Sequence, residues 1–390
     1  MTRKHLGSIS AIVLLAAVCL AGRISGDGLS QGDDSAVCAE VCPKAGERIE
    51  MPIQRFTISR DDSIYECFPG LTRCRNGRLI LVYRESDSHV AREYARIIVR
   101  TSDDEGKSWS DRKVLVATEK ADGVLRKYNC PKVQQLKDGR VLIVCDVFLT
   151  PPGEGRSDIK YSHLELFTSR DNGDTWTGPK AVDVSGIMPD EVVELDNGDW
   201  LLATHHLGVQ YVTRSADGGE HWDPPVTLAS RKGLKLCEAS IVKMPGGELV
   251  CYMRENSGKG LPIYKSISTD AGRTWKGPFE TLMGAGHRPV AHLTRSGKVL
   301  ITYRHHPGGS GAWAKNTFAY LESAQSALET DRAKQSGIVL PLDHDRSPHS
   351  DSGYTGWVEI EPGHFLAVNY ILDDAPKAQI RGYRFHESDF

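Results

Sequence analysis

An eight-residue pattern, S-x-D-x-G-x-x-W, occurs four times in the chain, at 102–109, 169–176, 215–222 and 268–275, and no other feature restricts the possible folds as much. The pattern has a mechanism as a turn between two strands. The Ser and Asp oxygens accept nearby backbone N–H groups, Gly takes a left-handed conformation, and Trp packs beneath. Its four aspartates are therefore read as structural, not catalytic. A second signal interleaves with the first. Turn glycines at Gly77, Gly139, Gly198, Gly247, Gly297 and Gly363 each precede a strand-like run and recur every 49 to 66 residues. A repeat of this length that cannot bury its own apolar face must stack on its neighbours.

Six such repeats of about four strands each predict an all-β fold, a six-bladed β-propeller of four-stranded antiparallel blades. The blades are expected to open at Cys67, Cys130, Pro189, Cys237, His287 and Gly353. The last blade shows only three strands in the sequence, so a strand at 49–58 is expected to complete it and close the ring. A helical period is visible only at 321–334.

The 390 residues, 39% of them apolar, suffice for a large core, and 48 Lys and Arg against 51 Asp and Glu give a net charge of −3. With no basic cluster to neutralise phosphates, nucleic acid is excluded as a partner. Residues 1–26 read as a secretory signal, with Arg3 and Lys4 ahead of an apolar run too short to span a membrane. The segment 27–46 reads as a linker and 47–390 as the propeller domain, in a secreted or periplasmic protein with no membrane span. Apart from Cys19, eight cysteines remain. Cys130 with Cys145 and Cys237 with Cys251 flank hairpins, while Cys67 with Cys74 and Cys38 with Cys42 lie closer together. Disulfides and small buried thiols both suit these positions. No cysteine spacing suits a metal, and no cofactor is expected.

In this topology the start of each first strand and the end of each second strand share one face, opposite the glycine turns. Charged and titratable residues collect there: Arg84, Glu85, Asp146, Asp190, Glu191, His205, His206, Glu238, Arg254, Arg288, Arg304, His305, His306 and Tyr354. Such a ring over a central depression is the default site. Its centre is the hairpin 237–254, whose two open ends carry Glu238 and Arg254. A carboxylate that opens a strand destined for burial needs a partner, and Arg254 is the one at hand. A salt bridge that only ties the hairpin ends is the alternative reading.

The four boxes, the six-fold hairpin repeat and the Glu238/Arg254 hairpin resemble the sialidase, or neuraminidase, superfamily over roughly residues 50–385. The resemblance implies exo-hydrolysis of a terminal acidic sugar from a glycan. In that family an arginine cluster binds the sugar carboxylate, a tyrosine assisted by a glutamate attacks the anomeric carbon, and an aspartate is the acid/base. A neutral tyrosine suits a carbon that bears a carboxylate, because an anionic nucleophile would be repelled. Guanidinium forks suit the carboxylate itself. Carried over, Glu238 matches the glutamate, Arg254 the second arginine and Tyr354 the nucleophile. Arg288 is the candidate third arginine, with Arg304 as its substitute. Asp87 is the candidate acid/base, with Glu85 and His89 competing, and Asp146 and His205 are further candidate substrate contacts.

The departure lies in the first blade, where the family's Arg-Ile-Pro is Cys67-Phe68-Pro69, so the anchoring arginine is absent and Arg84 is its possible replacement. Two other classes stay open. One is a lyase acting on uronic-acid polysaccharides, using His205, His206 or Tyr354 as base and Arg254 to neutralise the carboxylate. The other is a propeller that binds acidic glycans without catalysis.

Overall fold

The computed structural model of the protein describes residues 53–151, 162–182, 184, 186–187 and 189–390. The expected signal and linker segments, together with Cys38 and Cys42, lie outside the described residues. The described residues form six antiparallel sheets. Blade one comprises Tyr65–Arg73, Leu79–Ser86, Ala95–Ser102 and Lys113–Ala117. Blade two comprises Val124–Gln135, Val141–Thr150, Ser162–Ser169 and Thr177–Val182. Blade three runs through Val193–Glu194, Trp200–His206, Val209–Ser215 and Val226–Ala229. Blade four has Leu236–Lys243, Leu249–Glu255, Tyr264–Ser268 and Lys276–Glu280. Blade five has Gly286–Leu293, Val299–His305, Asn316–Glu322 and Gly337–His344.

Blade six is built from both ends of the propeller. Ser352–Glu361, His364–Ile371 and Gln379–His386 come from the C-terminal part, and Gln54–Ser59 pairs antiparallel with the last of them. The strand expected at 49–58 thus closes the ring, its first residues lying outside the described ones. This pairing of the two ends of the propeller in one sheet closes the ring, and each blade keeps a short outer edge strand.

One expectation is corrected. Blade two carries a fifth short strand, Glu119–Ala121, paired with the start of its long first strand. The turn between them is Asp122-Gly123, both at positive φ (50° and 79°), the conformation of a tight two-residue hairpin. The six described cysteines, Cys67, Cys74, Cys130, Cys145, Cys237 and Cys251, are all free and buried, so they serve as small core side chains and not as cross-links. The helical period at 321–334 appears as one short helix, Ala324–Leu328, and a 3-10 turn, Arg332–Lys334. Among the described residues no helix is long and apolar enough to cross a membrane.

The S-x-D-x-G-x-x-W boxes join third to fourth strands, as expected. In each, the Ser hydroxyl accepts the Gly N–H at 2.8 to 2.9 Å (Gly106, Gly173, Gly219 and Gly272). The Asp carboxylate accepts N–H and hydroxyl groups three or four residues on, as Asp270 does from Thr274. The boxes also bind blade to blade. A Cβ on Gly106 would lie 2.9 Å from Leu366 of blade six, on Gly173 2.9 Å from Ile80 of blade one, and on Gly272 2.6 Å from Leu201 of blade three. At these three boxes the glycine answers two demands, a positive φ and a neighbouring blade with no room for a side chain, whereas the close neighbour of Gly219 is Trp200 of its own blade.

Candidate active site

The first strands of blades one, two, four, five and six all lose register near their start, between Cys67 and Gly70, Tyr128 and Pro131, Cys237 and Ser240, His287 and Val290, and Gly353 and Gly356. Four of these bulges hold a non-glycine residue at positive φ: Phe68 (57°), Glu238 (50°), Arg288 (47°) and Tyr354 (59°). A bulge with a left-handed residue re-aims a side chain that a regular strand would send to one face of its sheet. Here it turns one residue per blade towards the others, so that strands of different blades meet. Gly353 makes room for this in blade six, because a Cβ there would lie 2.6 Å from the Arg304 side chain.

Glu238 and Tyr354 meet at the centre. The Tyr354 hydroxyl donates to Glu238 Oε1 at 2.5 Å, and Arg254 Nη1 donates to both carboxylate oxygens at 2.9 and 3.0 Å. Arg254 Nη1 also lies 3.4 Å from the Tyr354 hydroxyl, and its Nη2 donates to Asn256 at 2.8 Å. Glu238 and Tyr354 are buried and Arg254 keeps a partly exposed edge. Burial alone would raise the Glu238 carboxyl, but the Arg254 and Arg288 guanidinium groups and the Tyr354 hydroxyl hold it well below the usual carboxylate range. Burial, and then the Glu238 charge, push the Tyr354 phenol far up, so it rests neutral with its proton pointed at an ionised base.

Arg304 stacks on the other side of Tyr354, its guanidinium 4.8 Å from the ring centre, while it donates to the Ser352 carbonyl and, at 2.7 Å, to the Tyr370 hydroxyl. Arg288 lies deeper, 5.8 Å from the same ring, donating to the Pro189 carbonyl at 2.8 Å. The two guanidinium groups nearest the tyrosine are thus those of Arg254 and Arg304. His205 is buried behind Glu238 and accepts its backbone N–H on Nδ1 at 3.3 Å. Burial lowers its pKa to about 4 against the pull of Glu238, and lowers that of His287 to about 2, so both are neutral at pH 7.

Several expected contacts are placed differently. Phe68 occupies the blade-one position equivalent to Glu238 and Tyr354, its ring 4.9 Å from the Tyr354 ring. Arg84 does not replace the missing arginine. It is buried under Phe68, 4.4 Å from that ring, and donates to Asn129 at 2.6 Å and to the His89 carbonyl at 2.5 Å. Asp146 is fully buried and accepts the Cys130 N–H at 2.8 Å and the Asn129 side chain at 2.9 Å, so its carboxylate is engaged within blade two. Glu85 is committed to Arg96 (2.6 Å) and Arg112 (3.2 Å). Asp87 accepts the Glu93 N–H and the Ser88 hydroxyl of its own loop, at 3.2 and 3.1 Å. Burial would raise its carboxyl, but these local donors hold it low, an arrangement suited to an anion and poor for a proton donor. Asp190 is buried, and Glu191 lies 3.8 Å from His292. His305 packs edge-on against Phe318, and His306 is bonded to the Ala314 carbonyl at 2.6 Å.

Asp351 went unnoticed in the sequence. It is buried, and its carboxylate is bonded to the Tyr65 hydroxyl, His89 Nδ1 (2.7 Å), Lys315 (3.0 Å) and the Tyr370 hydroxyl (3.2 Å). The available signal was of the kind that marked Glu238, an acid just ahead of a strand that is otherwise buried. A separate cavity of about 770 Å³ at the boundary of blades five and six, lined by Arg55, Trp313, Asp343 and Arg381 among others, includes none of the candidate residues.

Among curated proteins none matches the sequence. In fold the chain is similar to a protein of unknown function from Dyadobacter fermentans, at 21% identity and a TM-score of 0.68 over 85% of this chain and 98% of that one. It is similar to the Hadza microbial sialidase Hz136, at 18% identity and a TM-score of 0.62 over 86% and 69%. It is likewise similar to the intramolecular trans-sialidase from Ruminococcus gnavus, at 15% identity and a TM-score of 0.62 over 86% and 97%. These identities carry the architecture alone, that of a six-bladed β-propeller. Residues 77–309, more than half of the sequence, match the BNR repeat-like domain, and the chain belongs to that family.

Proposed function

We propose that this protein is a retaining exo-glycosidase that hydrolyses a terminal acidic sugar from a glycan, with sialic acid or a related acid as substrate. The observation that carries the reading is the 2.5 Å hydrogen bond from the Tyr354 hydroxyl to Glu238, made in a buried site and flanked by Arg254. Tyr354 attacks the anomeric carbon as its proton passes to Glu238. The nucleophile is uncharged until it reacts, so the sugar carboxylate does not repel it. Arg254 has a double task. At rest it neutralises Glu238, and its partly exposed edge, with Arg304 across the tyrosine, offers a positive field to the carboxylate. His205 holds the backbone of Glu238 in its left-handed turn.

Phe68 replaces a charge-assisted donor with an aromatic face, and the loss of one such bond weakens carboxylate binding by about 1.5 to 3 kcal/mol. This favours a sugar that offers an apolar surface on that side. The experiment is a glycan panel bearing terminal sialic, ketodeoxy or uronic acids, assayed for free acidic sugar and, in parallel, for unsaturated uronate absorbance. Release of a free acidic sugar supports the proposal. Unsaturated products would assign a lyase, and binding without turnover would leave a glycan-binding propeller.

A further inference from the structure

We infer that His89, oriented by Asp351, is the acid/base of this site, in the place where an aspartate of the same loop was expected. The inference rests on reading Tyr354 as the nucleophile.

Three observations converge on the imidazole. Its Nδ1 is bonded to the Asp351 carboxylate at 2.7 Å, which leaves Nε2 without a partner among the described residues, on a side chain that is 42% exposed. A histidine held through one nitrogen by a buried carboxylate presents the other in a fixed direction and tautomer. The ring also lies one aromatic side chain away from Tyr354. Phe68 lies between the two, its ring 5.2 Å from His89 and 4.9 Å from Tyr354, and Tyr370 borders both rings. Finally, the loop is held from below, because the buried Arg84 donates to the carbonyl of His89. Arg84, which does not replace the missing arginine, thus fixes the backbone of His89. The competing carboxylates are occupied, Asp87 by its own loop and Glu85 by two arginines.

The proton balance closes. In the first half, which the His89 ring enters with a proton on both nitrogens, Tyr354 Oη bonds to the anomeric carbon and gives its proton to Glu238, while the glycosidic bond breaks and the departing oxygen takes the proton from His89 Nε2. In the second, His89 Nε2 takes a proton from water, the water oxygen bonds to the anomeric carbon, and the tyrosyl bond breaks as Glu238 returns its proton to Tyr354. Glycoside and one water give sugar and alcohol, and every side chain is restored. Asp351 is a positioning residue. It is held by Tyr65, Tyr370 and Lys315 and stabilises the imidazolium across the 2.7 Å bond.

The test compares two glycosides of one acidic sugar, an aryl glycoside with a good leaving group and an alkyl or sugar glycoside with a poor one, in the parent, His89→Ala, His89→Gln, Asp351→Asn and Asp87→Ala. Loss of the proton donor should lower kcat/KM on the poor leaving group by about 100-fold or more. The aryl glycoside should lose far less in its first step, and added azide should restore turnover of the aryl glycoside in His89→Ala by replacing water. Asp351→Asn should show the same leaving-group dependence in weaker form. A merely structural role for His89 would lower both substrates equally, with no azide rescue, and would overturn the inference. The leaving-group dependence appearing in Asp87→Ala instead would also overturn it. If the parent hydrolyses neither glycoside, the proposed function itself fails and the assignment of His89 falls with it.

Discussion

Tyr354 and Glu238, 116 residues apart and on different blades, share a 2.5 Å hydrogen bond because each sits in a left-handed bulge at the start of its strand. Glu238→Gln keeps the shape but removes the ionised acceptor. Turnover of the acidic glycoside is expected to fall by about 100- to 10,000-fold, with little change in KM. Because Glu238 stays ionised far below the usual carboxylate range, it does not set the acid limb of the rate profile above pH 4. Steady-state kinetics from pH 4 to 8 on parent and variant check both statements.

Arg254 should behave as a clamp and not as a rim salt bridge. Truncation to Ala leaves Glu238 buried without its partner and removes the exposed edge offered to the sugar. Affinity for the acidic sugar should fall by about 2 to 5 kcal/mol, whereas a rim pair would cost at most about 1 kcal/mol. Calorimetric titration at low and high salt is the measurement, and the parent should bind more weakly as salt screens the field.

His205 is expected to make the protein less stable in acid. Its folded pKa, lowered to about 4 by burial, lies below its unfolded value near 6.5, so between these limits the unfolded chain binds more protons. The contribution of this group should therefore fall as pH drops from 6.5 to 4, by at most about 3 kcal/mol, while that of His287, lowered to about 2 by burial, goes on falling below pH 4. His205→Asn should flatten that part of the curve in thermal melts taken at half-unit pH steps. An unchanged slope would show that His287 or another group dominates.

The boxes should be structural. Gly272→Ala places a methyl 2.6 Å from Leu201 at a φ of 81° and should cost about 2 to 4 kcal/mol. Denaturant melts read the loss, and kcat/KM of the folded fraction should be unaffected. Since the described cysteines are free, a reducing agent should leave the melting temperature of the propeller where it is.

The architecture was legible because it is local and repeated. A turn glycine and an Asp-box announce themselves within eight residues, and Glu238 with Arg254 could be paired because hairpin geometry fixes their distance. Tyr354 was found by position in its repeat. What stayed hidden depends on a shift of one residue or on distant loops. Cys67 stands where the resemblance to sialidases leads one to expect an arginine, but the bulge hands the central place to Phe68, and Arg84 is trapped underneath. The bond from His89 to Asp351 spans 262 residues between two irregular segments, and nothing in either segment points to the other. The fifth strand of blade two was foreshadowed by Asp122-Gly123, a hairpin signal left unread.

The most direct measurement is to trap the covalent intermediate. A fluorinated acidic sugar with a good leaving group should transfer its glycosyl group to the parent protein, and the added mass should map to the peptide bearing Tyr354. Tyr354→Phe should carry no label. Release of free acidic sugar with no adduct on Tyr354, or an adduct that persists in Tyr354→Phe, would contradict the mechanism.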